Sequence, residues 1–393
     1  MKKLPILLFL LLTGLLFSGI SRAASQTDIQ SESNNAYSVI APGDTPTQTF
    51  YLAKVLDVTN FYQNTVGPAH QNVWSEDVTL KFLNGSLKGQ QLTITNSAIE
   101  GISSNPQVQK GQYVVVGKNP VTGDGAYTIL DVYRIYILAA LAGLFIFLVI
   151  LFGRWRGLSS LAALIFSIGL LAFFVIPEIL KGHSPLTITI IAAIFIACVS
   201  LFLAHGFNKR TLYAFAAMII TLMIALGLSV YFVNLAKLTG LGTEDAQYLV
   251  VGGVSAGHLQ GLLLSGIIIG ALGVLEDITT GQSAVVDELK KANPALKFKE
   301  LSSSALSVGR EHIASLVHTL VLAYAGSSLL IFLLFAINKS QPLWVLFNSQ
   351  YVGEELVRAL IGSIALVLAV PIATFIAAYF QSRENLTIIK PSK

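Results

Sequence analysis

The chain has 393 residues, 54% of them hydrophobic and 12% charged, against roughly 25% charged in an ordinary soluble domain. A mean hydropathy of +0.70, with the apolar residues gathered in long blocks, excludes a single aqueous core and makes lipid the solvent for most of the chain. The net charge of +4 is concentrated in a few loops, and no basic run with interleaved aromatics occurs, so it bears on orientation in a membrane and excludes nucleic acid as a partner.

In chain order, Met1-Lys2-Lys3 is a short positive region, Leu4 to Phe17 is an apolar run too short to span comfortably, and Ser21-Arg22-Ala23 is a small-x-small site. Together they predict a secretory signal over residues 1–23, cleaved after Ala23 or retained as an anchor. Residues 24–49 are rich in Ser, Thr, Gln and Pro and predict a linker. From Phe50 to Tyr133 the periodicity is near two, as in Thr79-Leu80-Lys81-Phe82-Leu83. Turns are expected at Asn84-Gly85, Lys88-Gly89, Lys110-Gly111, Asn119-Pro120 and Gly123-Asp124-Gly125. This predicts a small all-β domain, a barrel or sandwich, that lies outside the cytoplasm over residues 50–133. It contains no cysteine, since the single Cys198 falls in an apolar block, so it folds without disulfides. His70, Trp74, Glu76 and Asp77 are close enough in sequence to form a site, but read as a polar loop between strands.

Residues 134–381 predict a membrane α-helical bundle of about seven transmembrane helices, followed by a cytoplasmic tail over 382–393. Six blocks approach or exceed the roughly 20 residues needed to cross hydrocarbon: Ile135–Phe152, Leu158–Ile176, Leu186–Leu203, Leu212–Val233, Ile313–Ile337 and Val357–Phe380. The glycine-rich stretch His258–Leu275 is the seventh, fifth in order, and residues 247–257 before it read as a continuation, a re-entrant segment or an interfacial turn. With the β domain outside, an odd count puts Arg154, Arg156, Lys209, Arg210, Lys290, Lys291, Lys297, Lys299, Arg310, Arg383, Lys390 and Lys393 inside. Only Lys181, Lys237 and Lys339 stay outside, with Arg134 and Arg358 at helix edges, which is the bias of a multi-pass cell-membrane protein with its C-terminus in the cytoplasm.

Chemistry concentrates on the fifth and sixth spans. Gly261, Ser265, Gly266, Gly270 and Gly273 give small-x-x-x-small spacing, which lets another helix approach closely, within the chain or from a partner. Past them Glu276 and Asp277 meet the inner end of the span, where a charge inside the bilayer costs on the order of 3 kcal/mol and needs a partner or water. Glu276, Thr280, Ser283 and Asp287 share one helical stripe; for Asp287 and Glu288 a solvated helix face is the simpler reading. On the sixth span Glu311, Ser315 and His318 share a stripe, while His312 and His318 point in different directions and cannot share a metal on one turn. A hydrogen-bonded structural histidine is an equal reading of His318. Arg310 is placed to pair with Glu276 or Asp277, or is one more positive charge at the inner boundary. His205 and His258 read as boundary residues. No zinc, phosphate-loop or nucleophile-elbow motif is present, and neither a cofactor nor a metal is specified.

The run Ile269-Gly270-Ala271-Leu272-Gly273-Val274-Leu275-Glu276-Asp277-Ile278, then Gln282-Ser283-Ala284, Ala292-Asn293-Pro294 and Gly309-Arg310-Glu311-His312-Ile313-Ala314-Ser315-Leu316-Val317, with Thr319 to Gly326 following, resembles the YibE/F-like family of polytopic bacterial membrane proteins. The resemblance covers about Ile135 to the C-terminus, and the domain before it resembles the longer, YibE-like type. It implies a bacterial membrane protein and, because members are often encoded in pairs, a second YibE/F-like membrane subunit as a partner beside the lipid bilayer. Where the family has two aspartates this chain has Glu276-Asp277. The resemblance supplies no substrate.

The residues support two functions. One is non-enzymatic transport of a cation or a proton-coupled solute, with Glu276, Asp277, Thr280, Arg310, Glu311, His312, Ser315 and His318 as an ion or proton pathway between the fifth and sixth spans. The other is an assembly or sensing component that binds a partner through its outer domain. An intramembrane metalloenzyme ranks third.

Overall fold

A computed structural model of the chain describes residues 49–66, 71–99, 105–118, 127–330, 333, 337 and 342–384. The expected signal, the linker up to residue 48, His70, the turns at Asn119-Pro120 and Gly123-Asp124-Gly125, and the tail beyond Glu384 lie outside the described residues. The chain divides into two compact units whose boundary falls between Phe147 and Leu148.

In the first unit, strands β1 (Thr49–Val66), β2 (Gln71–Phe82), β3 (Gln91–Ile99), β4 (Tyr113–Lys118) and β5 (Tyr127–Val132) form one antiparallel sheet in the order β3-β2-β1-β4-β5. The edge strands β3 and β5 approach each other, so the sheet curls into a partly closed barrel. The period of two sends Tyr51, Ala53 and Val55 of β1, Val78, Leu80 and Phe82 of β2, Val114 and Val116 of β4, and Ile129 of β5 into one core. Register slips between Val55 and Asp57 and between Thr59 and Tyr62 bend the long β1 and let it serve both neighbours. Gly85, at φ +68°, turns the chain where a Cβ would lie 2.8 Å from the Tyr51 ring.

The polar loop expected around Trp74 is a strand instead. Trp74, Glu76 and Asp77 lie on β2, with the buried Trp74 and Glu76 on the inward face and Asp77 on the outward one. Glu76 keeps the alternation because its carboxylate is satisfied there: Asn96 Nδ2 donates to it at 2.8 Å and the Val108 amide at 3.1 Å. On the other face Asn60 and Thr95 each donate to Asp77 at 2.9 Å, and these bonds hold its carboxyl below the ordinary carboxylate range.

The helices are α1 (Ile135–Leu170), continued through a π-helical turn at Leu171–Val175 into α2 (Ile176–Leu180), then α3 (Pro185–His205), α4 (Lys209–Leu235), the short α5 (Glu244–Val251), α6 (Ala256–Ala292), α7 (Phe298–Ser327), the short α8 (Leu343–Phe347) and α9 (Gln350–Glu384). Five are long and apolar enough to cross a membrane: Ile135–Leu180, Pro185–His205, Lys209–Leu235, Ala256–Ala292 and Gln350–Arg383. On that criterion the described residues give five spans and not about seven, for two reasons. The 46-residue segment Ile135–Leu180 contains both of the first two expected spans. The expected span Ile313–Ile337 falls largely on α7, where Glu300, Arg310 and Glu311 dilute the apolar run, and part of its far end lies outside the described residues.

Two observations order these helices. Arg154 has φ 50° and ψ −133°, and a Cβ on Gly157 would lie 2.3 Å from the Val149 carbonyl oxygen. Eight residues of continuous helix rise about 12 Å, so the chain reverses between them. In the bundle, Pro185 touches Gly261 near the start of α6, and Ser200 faces Glu276; each pair is offset by the same step in sequence, so α3 and α6 run parallel and in register. Helix α4 runs against them, since Gln260 bonds Asn234 at one end and Arg210 approaches Asp287 at the other. Helix α9 is parallel to α6, with Glu354 beside Gly240 next to Leu259 and Thr374 beside Gln282. Helix α7 is antiparallel to α9: Gly309 lies against Val370, and Gly362 against Tyr324.

Helix α5 is a separate element, not a continuation of α6. Thr243 caps it by accepting from the Ala246 amide, and Gly252-Gly253, with φ +94° at Gly253, break the chain before α6 begins.

A tight crossing of α7 with α9 is at Gly309, where a Cβ would lie 2.4 Å from Val370 Cγ1, whereas at Gly266 it would meet nothing within 4 Å. Gly309→Ala is expected to cost about 1–3 kcal/mol by overpacking and Gly266→Ala to leave stability undiminished. Thermal unfolding of the two variants in detergent checks this, and equal melting temperatures would contradict the packing described.

Candidate functional site

Helix α6 presents different chemistry to each neighbour. Toward α3 it turns Glu276, half-buried, whose carboxyl faces the Ser200 hydroxyl. Ser200 is 5% exposed and its Oγ makes no hydrogen bond of normal geometry. One residue on, Asp277 is exposed and lies within electrostatic reach of His205, which also feels Arg156 and Arg210. The Thr280 hydroxyl donates back to the Glu276 carbonyl at 2.8 Å, and Thr279 does the same to Leu275 at 2.8 Å. These bonds give the hydroxyls partners within the helix itself.

Toward α7 and α9, α6 turns Gln282, 1% exposed. Its Nε2 donates to the Ala305 carbonyl and to Thr374 Oγ1, both at 2.8 Å, and Gly309 leaves the room it needs. Three helices are thereby tied by one amide. Ser283, expected on a polar stripe with Glu276, Thr280 and Asp287, is fully buried. Asp287 is paired with Lys291 at 2.8 Å and approached by Arg210 at 3.9 Å, so that stripe faces the bundle at its middle and bonds across it at its end.

The residues expected on the sixth span are placed elsewhere. Helix α7 meets its neighbours through Leu301, Ser302, Ala305 and Gly309. At about 100° per residue, Glu311 lies some 200° round the helix from Gly309, and Ser315 and His318 lie near it. Arg310, Glu311, His312, Ser315 and His318 are all exposed. The structure therefore brings Glu276 and Asp277 together with α3 and does not bring them to the α7 stripe. Of the small residues, Gly261 packs on Pro185 and Ser265 is buried, donating to the Gly261 carbonyl at 2.7 Å; Gly266, Gly270 and Gly273 are open. Among the described residues no three His, Cys, Asp or Glu side chains come together as a metal site.

At the other end of the bundle, Glu354 of α9 is 4% exposed. Its Oε1 accepts from the amides of Gly240 at 3.0 Å and Gly242 at 3.2 Å and from Gln350 Nε2 at 3.0 Å. Gly240 has φ +83°, and a Cβ there would lie 2.3 Å from the Leu259 carbonyl oxygen, so only glycine lets this loop pass α6 and aim its amides inward.

The profile of the YibE/F-like protein family matches residues 141–383, more than half the chain. The chain belongs to that family. The matched region begins within α1 and ends in the last turn of α9, so it takes in the whole bundle, including Glu276, Gln282, Gly309 and Glu354, and leaves out the β domain. No curated protein and no solved structure matches the chain.

In this YibE/F-like bundle the residues that sequence reasoning passed over are Ser200, His205 as a neighbour of Asp277, Gln282 as a structural tie, and Glu354 with its glycine loop. A signal existed for the last: Thr239-Gly240-Leu241-Gly242-Thr243 and Glu354, next to an acid that has its own cation in Arg358, are both out of place unless they meet. Replacing Glu354 by Leu leaves two buried amides unpaired, at about 1–3 kcal/mol each. Replacing Glu355, which forms a partly exposed pair with Arg358 at 3.0 Å, removes on the order of 1 kcal/mol. Glu354→Leu should thus melt well below Glu355→Leu in detergent, and the reverse order would argue against the clamp.

Proposed function

We propose that this YibE/F-like chain is a non-enzymatic transporter of a cation or a proton-coupled solute in the cell membrane, with the site built around Glu276. The observation that carries the proposal is a carboxyl on an apolar helix of the bundle, opposite a buried hydroxyl that makes no bond. Lipid offers such groups nothing, and intramembrane ionisable residues mark ion or proton pathways more often than they serve packing.

Topology follows the same reading. Helices α3, α4, α6, α7 and α9 alternate in direction, and the reversal at Arg154 divides the long first segment into two, which supports a reading of seven crossings. The end of the bundle that holds Glu276 also collects Arg156, Lys209, Arg210, Lys290, Lys291, Lys297, Lys299 and Arg383, a bias that supports a cytoplasmic reading of that end. The β domain, preceded by a secretory signal, then lies outside.

Full-length protein reconstituted in vesicles should carry ion or proton flux that falls at least tenfold in Glu276→Gln. Flux equal to wild type in that variant would remove the site from the pathway. A cysteine placed at Lys290 should resist membrane-impermeant maleimide in intact cells, and its labelling from outside would overturn the orientation.

The second reading, an assembly or sensing component, is favoured by the far end of β1. There Phe61 and Tyr62 are 53% and 61% exposed beside the bonded Asn60, Asp77 and Thr95, a mix of aromatic and polar groups suited to a protein partner. A paired YibE/F-like subunit is the partner this reading names. Its retention on full-length protein and loss on deletion of residues 25–130, with flux absent from both, would favour this reading over transport.

A further inference from the structure

The transport reading leaves open what Glu276 handles and which helix completes its site. Four observations answer both. Helices α3 and α6 run parallel and in register, from the Pro185–Gly261 contact to the Ser200–Glu276 pair. The buried face of α3 carries two hydroxyls with no hydrogen bond, Thr189 Oγ1 at 0% exposure and Ser200 Oγ at 5%. These two lie three helical turns apart on one stripe, and the same spacing on α6 separates the buried Ser265 from Glu276. The polar residues of α7 are exposed and far round their helix from α6.

A buried hydroxyl that makes no bond is costly, on the order of 1–3 kcal/mol, and calls for a reason; Ser283 of α6 is another, but only Ser200 has a carboxyl opposite it. The ligand set limits what that is. One carboxylate and one hydroxyl, with Asp277 directed outward, provide far fewer oxygens than the six or more a bare divalent cation requires. Solvent water needs only two to four partners, and a proton on water needs one acceptor.

We infer, resting on the transport reading, that the seam between α3 and α6 is a proton path in which Ser200 hands a proton to the Glu276 carboxyl. A hydronium in the seam gives up a proton. The Ser200 hydroxyl accepts it and releases its own to a Glu276 oxygen. Glu276 then returns the proton to water at the end marked by Asp277 and His205. Only O–H bonds form and break, and the net charge moved is one proton. The charged group that acts on Glu276 is Asp277 on α6; His205 on α3 lies within reach of Asp277, and Arg210 on α4 and Arg156 at the reversal within reach of His205. Helices α7 and α9 meet α6 at Gln282, on another face, with neutral groups, Ala305, Gly309 and Thr374.

The test uses full-length protein in vesicles with an internal pH dye and an imposed potassium diffusion potential, and in parallel an inward gradient of radioactive sodium. Ser200→Ala is expected to lower proton flux at least tenfold, Ser200→Thr, which keeps the hydroxyl, to retain most of it, and Glu311→Gln and His318→Ala to stay within twofold of wild type. Melting temperature and elution profile of each variant identify any that fails to fold. The rate at which a hydrophobic carbodiimide labels Glu276 across pH gives a second measurement that needs no flux, and Ser200→Ala should move its midpoint by at least half a pH unit. Unchanged flux and labelling in Ser200→Ala, or loss of flux in the α7 variants, overturns the seam while the transport reading stands. Sodium flux without proton flux overturns the proton but not transport. No flux of either ion in wild type overturns both.

Discussion

A helix bundle in lipid has no solvent to satisfy a polar side chain, so every such group must be met by another helix, by its own backbone or by water admitted on purpose. Helix α6 shows the first two solutions along its length. Ser265, Thr279 and Thr280 turn their hydroxyls back on carbonyls of their own helix. Gln282 reaches across to α7 and α9. Glu276 faces a hydroxyl that nothing else engages. Because α6 packs against α3, α4, α7 and α9, its small residues decide how near each can come, and Gly261 against Pro185 sets the register that brings Ser200 level with Glu276. Without that close approach the acidic pair would have no neighbour on α3.

Much of the fold was legible because its signals are local. Alternation identified β2 and β3, and Asn84-Gly85 marked the turn between them. Apolar blocks located α3, α4, α6 and α9. The strand through Trp74, Glu76 and Asp77 was misread as a loop because a buried glutamate breaks the apolar alternation, and its justification, the Asn96 amide and Val108 N–H, is supplied from elsewhere in the barrel. Residues 247–257 were ambiguous because Tyr248 to Val251 are apolar enough to join α6; the Thr243 cap and the Gly252-Gly253 break decide otherwise.

The site was half legible. Glu276 and Asp277 stand out in any apolar helix, but the choice of α7 as their partner followed sequence proximity, and packing went to a helix far earlier in the chain. Periodicity shows that Glu311, Ser315 and His318 share a face, yet it cannot say which way that face turns; the need to seat Gly309 against Val370 and Gln282 settles it. Glu354 escaped notice for a related reason. Its donors are backbone amides, which every residue owns, so the only trace they leave is the pair of glycines that frees them.

Glu354, buried, and Glu276, half-buried, make a useful contrast. Glu354 accepts three hydrogen bonds, two of them from amides that cannot move without rebuilding the loop between α4 and α5. A carboxylate held so fully has no reason to exchange partners, and its role is to hold α9 against that loop. Glu276 sits at the opposite end with one neighbouring hydroxyl and no fixed amide aimed at it, beside an end rich in cations. An acid left short of donors in a bundle that supplies three to another acid stands out, and such contrasts are where function is to be sought. The same fold thus spends its hydrogen bonds to immobilise one end and withholds them at the other, which is the arrangement a membrane protein needs if one end is to be a hinge-free anchor and the other a place where a small ion changes hands.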